Sequence, residues 1–332
     1  MTKNYLPPIA IGLGILFCFN MLMVSSVAPY ALGKQLFAWL LGVILFFIGT
    51  QINPRQIASS KVYIFLTSCF FLLLPILLNN ITRGARSWIN LGFISFQPSE
   101  FVKPWLMLFL VHTNFPLLIF IPIGIVMLQP DLGSAITIGL LLVPIILYNK
   151  QIFKLALLGA LLLIMSSPLI WSHVLHGYQR QRIVTFLNPQ SDPQGHGYNI
   201  IQSKIAIGSG GLWGKGYKKG SQGQLLFLPA KHTDFMFAVT AEELGLVGVS
   251  LIIFSYYLIT KTLINRAFEV RNNRPLSLFI LGIAFQVWGQ SFINIGVNLG
   301  MIPVTGIPLP FMSVGGSSIM ALMFSLGVSS SS

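Results

Sequence analysis

The sequence predicts an all-α polytopic membrane protein, with about ten transmembrane helices and a large extracytoplasmic loop between the seventh and eighth. Three observations carry that reading. Mean hydropathy is +0.79. Of the 332 residues, 54% are hydrophobic and only 8% charged, beyond what a soluble domain carries on its surface. Apolar runs near the length a bilayer core requires, roughly 20 helical residues, recur along the chain. The longest interruption, residues 174–234, is basic and glycine-rich.

On that ruler the spans fall at 6–27, 33–50, 62–79, 98–112, 115–128, 132–148, 153–173, 235–260, 277–300 and 307–327. The first follows a single Lys3 and ends on no small-residue cleavage motif, so it reads as a retained span rather than a removed signal. The fourth and fifth are short, meet at His112–Asn114 and are interrupted by Pro104, Pro116 and Pro122. A re-entrant hairpin is the alternative there. Cys18 and Cys69 lie inside apolar runs as small core residues, with no disulfide framework. The chain thus reads as a single membrane domain, 1–332, with the loop 174–234 inside it.

Orientation follows from basic residues in the short loops. With Lys3 inside, the inner segments hold nine (Lys3, Arg55, Lys61, Lys150, Lys154, Lys261, Arg266, Arg271 and Arg274), and the short outer ones hold three (Lys34, Arg83 and Arg86). Both termini are therefore expected to be cytoplasmic. The long loop carries seven basic residues (Arg180, Arg182, Lys204, Lys215, Lys218, Lys219 and Lys231) against Asp192 and Asp234. That excess points to an anionic partner at the outer membrane surface, whether lipid headgroups or substrate. Within it, "GSGGLWGKGYKKGSQG" (208–223) has seven glycines in sixteen residues, which suits either a backbone-amide cradle for phosphate or a flexible linker. Neither G-x-x-x-x-G-K-[ST] nor G-x-G-x-x-G in a βαβ setting occurs. Energy for any chemistry must then come from the substrate or a gradient.

Ionisable groups at membrane depth are costly and default to paired or functional roles. "QPSEFVKPW" (97–105) puts Glu100 and Lys103 on one helix face, where they can neutralise each other. "QPDLGS" (129–134) sets Asp131 near a helix N-terminus, where it can cap. Arg86 shares the outer side with Trp88, an interfacial anchor in the simpler reading. In "LPAKHTDFMFAVTAEELG" (228–245), Asp234 sits at the membrane surface beside His232 and Thr233, either capping the eighth span or meeting substrate and water together. Glu242 and Glu243 lie roughly 12 Å deeper by helical rise. Adjacent on a helix, they are not expected to face one partner, and at least one should reach a polar group on another span.

At these residues the sequence resembles the SEDS family (shape, elongation, division and sporulation). "QSKIAIGSGGLWGKGYKKGSQGQLLFLPAKHTDFMFAVTAEELGLVG" (202–248) is similar to its signature, and the likeness extends to "RGARSWINLGFISFQPSE" (83–100), "QPDLGSA" (129–135), "RIVTFLNP" (182–189) and "NIGVNLGMIPVTGIPLPFMSVGGSS" (294–318). The short N-terminal tail and "GLWGKG" look more like its elongation branch than its division branch. The resemblance implies a ten-span glycosyltransferase of the bacterial inner membrane that polymerises lipid II, the undecaprenyl-diphosphate-linked disaccharide-peptide, for cell elongation and rod shape. It also implies a class B penicillin-binding protein as transpeptidase partner and a divalent cation, Mg2+ or Mn2+; nucleic acid has no part. By motif match, Asp234 falls on the family's essential acid, and Glu100, Lys103 and Asp131 fall on its polar cavity positions. The chain departs from the family pattern at Leu226 and Ala230, where relatives often carry Glu, at Val314, where an aromatic is usual, and in the short loop around Thr113.

Asp234 is then the candidate general base, taking the proton from an acceptor sugar hydroxyl as its oxygen attacks the anomeric carbon of the donor. Charge developing on the diphosphate leaving group needs cations, for which Lys204, Lys215, Lys231 and Arg86 are candidates, and His232 joins the substrate-binding set. The alternative is a flippase or transporter of lipid-linked precursors, using Glu100, Lys103 and Asp131 as a polar path. A third reading is a scaffold that only positions the transpeptidase.

Overall fold

The computed structural model describes residues 5–78, 86–90, 92, 95–169, 171–172, 177–188, 190, 196–225 and 227–331. Lys3, Arg83, Asp192 and Leu226 of the preceding readings lie outside the described residues. In chain order the helices are α1 (Leu6–Val27), α2 (Leu32–Thr50), α3 (Lys61–Leu77), α4 (Pro98–Leu110), α5 (Phe120–Met127), α6 (Leu132–Leu140), α7 (Val143–Tyr148), α8 (Lys150–Met165), the short α9 (Ser167–Leu169), α10 (Gly177–Leu187), α11 (His196–Gly210), the one-turn α12 (Ser221–Gln224), α13 (Met236–Glu269), α14 (Arg274–Asn298) and α15 (Gly316–Ser329). A two-stranded hairpin pairs β1 (Ile89–Asn90) with β2 (Ser95–Phe96), antiparallel, just ahead of α4.

Among the described residues, five helical segments are long and apolar enough to cross a bilayer: 6–27, 29–50, 54–77, 236–269 and 274–298. Shorter apolar helices lie at 116–127, 132–148 and 316–329. The first three spans match the sequence reading almost residue for residue, because an uninterrupted apolar run of that length leaves the backbone no partner but itself. Later spans deviate where special residues intervene. The sixth divides at Leu141–Leu142, ahead of Pro144. The eighth runs on to Glu269, well past the expected 260. The tenth becomes helical only at Gly316, and 307–315, with Pro308 and Pro310, is irregular chain.

The core is the packing of α2, α4 and α14 with α15, of α1 and α11 with α13, and of α13 with α14. Large apolar side chains such as Phe47, Leu66, Phe70 and Trp288 point outward. In water such a surface would drive association; here it is the lipid-facing side of a bundle.

Candidate active site

α13 is two helices joined at Gly245, whose φ of 67° and ψ of −165° suit glycine alone. A helix bonds each N–H to the carbonyl four residues back, so this break orphans carbonyls before it and amides after it. Residues 211–216 fill the gap. Lys215 N and Gly216 N donate to the carbonyls of Glu242 and Glu243, both at 2.9 Å, while Leu246 N and Val247 N donate to Gly211 O (2.9 Å) and Leu212 O (3.2 Å). A Cβ on Gly210, Gly214 or Gly245 would collide with backbone across this junction. Gly210, Gly214 and Gly245 are there for close approach, and 210–216 is neither a linker nor an open row of amides.

The two glutamates hold the same loop, contrary to the expectation that neighbours on a helix cannot share a partner. The loop wraps the helix and meets both directions. Both are fully buried. Glu242 accepts from Lys215 Nζ (2.7 Å), Ser221 Oγ (3.0 Å) and the amides of Gln222 and Gly223. Glu243 accepts from Ser26 Oγ on α1 (2.7 Å), the Lys218 amide (3.1 Å) and Gln224 Nε2 (3.1 Å). The Ser26 bond is the anticipated link to another span. Lys215, expected to meet a diphosphate, has its ammonium on Glu242. Lys231 is buried and donates to Gly223 O at 2.5 Å. Burial holds its ammonium below the ordinary lysine range, with the Glu243 carboxylate opposing that shift.

From this anchored loop the chain climbs to His232 and Asp234. The N-cap position of α13 is Phe235, and no side chain of that residue caps the helix. Asn298 of α14 serves instead, its Oδ1 accepting from Ala238 N at 3.1 Å. Its Nδ2 and that of Asn294 both donate to the Asp234 carbonyl at 2.9 Å. On the other side, Ser313 Oγ donates to Thr233 O at 2.5 Å and Val314 N to His232 O at 2.9 Å. The 307–315 segment is in turn fixed from α1 and α2: Asn20 Nδ2 donates to Met312 O (2.6 Å) and Gln35 Nε2 to Ser313 O (3.1 Å). The Tyr30 ring stands 6.3 Å from that of His232. Asn294, Asn298, Ser313 and Gln35 were missed as site residues. Their signal was polar side chains inside apolar runs, without an acid or base to draw attention.

Glu100, Lys103 and Asp131 come together elsewhere, on α4 and at the start of α6. Lys103 Nζ lies 2.6 Å from Glu100 Oε1 and 3.4 Å from Thr137 Oγ1, with both ionic side chains buried. Asp131 caps α6, accepting from Ser134 N at 2.9 Å, and also accepts from Gln97 Nε2 at 3.1 Å. This cluster meets the Asp234 side through the start of α15, where Gln97 N donates to Ser317 Oγ at 3.0 Å. Arg86 is exposed and its amide donates to Gln129 O at 3.3 Å. Lys204, on α11, is exposed and lies across Gly300 at the end of α14.

Fold and site together define a multi-pass membrane protein in which a broken helix and two asparagines of α14 hold the loop that carries Asp234. The chain belongs to the FtsW, RodA and SpoVE family of cell cycle proteins, which it matches over residues 6–331. It is 36% identical over 342 residues to the peptidoglycan glycosyltransferase MrdB of Escherichia coli K12, covering 97% of this chain and 91% of that protein. A chain from a peptidoglycan synthase complex that coordinates polymerization and crosslinking superposes with TM-score 0.81 at 30% identity, covering 97% and 95% of the two chains. The rod shape determining protein RodA of Thermus thermophilus superposes at 0.66 with 28% identity, covering 97% and 94%.

Proposed function

We propose that this protein is a peptidoglycan glycosyltransferase that polymerises lipid II during cell elongation, with Asp234 as general base. The observation that carries the reading is the clamp on the Asp234 loop, gripped at its backbone by Asn294, Asn298, Ser313 and Val314. Fixing the backbone on both sides pre-orients the one acid of this loop, as proton transfer requires. The acceptor sugar's hydroxyl oxygen bonds to the donor's anomeric carbon, and its proton passes to the Asp234 carboxylate. The bond from that carbon to the diphosphate breaks, with the electron pair leaving on oxygen.

Among the described residues, Lys204, Lys218, Lys219 and Arg86 are exposed cations that can attract the diphosphate. Among the described residues no three His, Cys, Asp or Glu side chains cluster as a metal cage. A divalent cation, Mg2+ or Mn2+, would fit beside substrate, with Asp234 giving one hard oxygen ligand and the diphosphate others, where it would neutralise leaving-group charge. The basic-residue asymmetry supports cytoplasmic termini, which with ten spans in the bacterial inner membrane sets the Asp234 loop outside. The likeness to a chain of a synthase complex supports a class B penicillin-binding protein as partner. The transporter reading has less support, because Glu100 and Lys103 are closed on each other.

In a reconstituted assay with lipid II, Asp234→Asn and Asp234→Ala should abolish glycan polymer while the thermal transition stays near that of the parent. Near-normal polymer from either variant excludes Asp234 as the base.

A further inference from the structure

Beneath the Asp234 loop, four side-chain atoms inside the bundle find no hydrogen-bond partner among the described residues: Glu100 Oε2, Gln290 Oε1 and Nε2, and Ser318 Oγ. The three residues are 3%, 0% and 7% exposed, so bulk solvent does not serve them. They come from α4, α14 and α15, which pack on one another.

Two contacts fix their depth. The Met107 side chain fills the space over Gly282, and α4 and α14 run in opposite directions, so seven residues along each bring Glu100 level with Gly289 and Gln290. The Trp105 and Phe324 rings lie 5.3 Å apart, and α4 and α15 run the same way, so six residues back on each bring Ser318 level with Ser99. A carboxylate oxygen, a whole amide and a hydroxyl thus lie at one level. Gln290 is also a rung of a ladder on α14, with Gln286, Asn294 and Asn298 at four-residue intervals and all four at most 1% exposed. The upper two rungs hold the Asp234 carbonyl.

We propose that Glu100, Gln290 and Ser318 line an internal water site that joins the Glu100–Lys103 ion pair to the α14 ladder carrying the Asp234 loop. Burying such groups without partners is strongly disfavoured, and native interiors satisfy them with protein or ordered water. A buried water makes about three hydrogen bonds, which a carboxylate oxygen, an amide and a hydroxyl can provide. Apolar voids stay dry, whereas a polar one beside a charged pair fills.

The test is independent of polymerase activity. A structure of the intact protein at a resolution that resolves ordered solvent should show water within hydrogen-bond reach of Glu100 and Gln290. A level with none overturns the site. In thermal denaturation, Gln290→Leu should lower Tm, and the loss should shrink in a Glu100→Gln background because the two share the water. If Tm instead rises, the amide was merely unsatisfied and the proposal fails. Should Gln290→Leu not fold, Ser318→Ala carries the same sign test: a lower Tm supports the water, an unchanged or higher one overturns it.

Discussion

Lys103 and Glu100 are each too buried to survive alone. A lone ion at this depth costs several kcal/mol, and removing one partner of a buried pair typically costs about 3–5 kcal/mol because the other is stranded. Lys103→Met and Glu100→Gln should each lower the unfolding temperature markedly, with the double variant losing less than the sum. Strictly additive losses in a double-mutant cycle would show that the 2.6 Å contact carries no coupling. Lys215 differs, since its side chain keeps 30% exposure and Glu242 retains donors from Ser221, Gln222 and Gly223. Its loss should be milder, about 1.5–3 kcal/mol as for a hydrogen bond to a charged group. Asp131 was legible as a cap because capping is local, the acid and its Ser134 amide lying three residues apart. Lys215 was legible only as a charge, since its partner lies 27 residues away across the fold.

At the scale of elements, α13 shows what periodicity reveals and what it hides. The apolar run from Phe235 onward announced a span, and its start is placed to within one residue. The break at Gly245 was invisible, because a single glycine in an apolar run is as often a tolerated residue as a hinge, and the loop that completes the broken helix is distant in sequence. The late start of α15 was hidden for the opposite reason: 307–315 is apolar enough to pass for membrane helix, yet Pro308 and Pro310 deny it the amides a helix needs. Gly245→Ala should destabilise the protein by about 2 kcal/mol or more, adding a left-handed φ penalty to a collision with the 211–216 loop. Gly208→Ala, on α11 with open space around it, should be neutral or stabilising by up to about 1 kcal/mol. Equal effects at the two positions in detergent-solubilised melts would refute the docked-loop account of the glycines.

Across the whole molecule, the lysines around the 211–231 stretch divide into two populations that composition could not separate. Lys215 and Lys231 are committed inward, to Glu242 and to Gly223 O, and they build the platform. Lys218 and Lys219 remain exposed near the tip, Lys218 lying 5.3 Å from the centre of the Tyr217 ring, a solvated geometry that leaves its field available. An anionic, membrane-tethered substrate would feel the second population through screened attraction, over a Debye length of about 8 Å at physiological salt. Neutralising Lys218 and Lys219 together should therefore raise the lipid II concentration for half-maximal rate several-fold and flatten its salt dependence, leaving the saturated rate close to that of the parent. Lys215→Met should do the reverse, lowering the melting temperature and the amount of active protein with little change in salt response. Loss of saturated rate in the Lys218/Lys219 double variant, at unchanged apparent affinity, would move those lysines to the transition state and refute the division between platform and attractor.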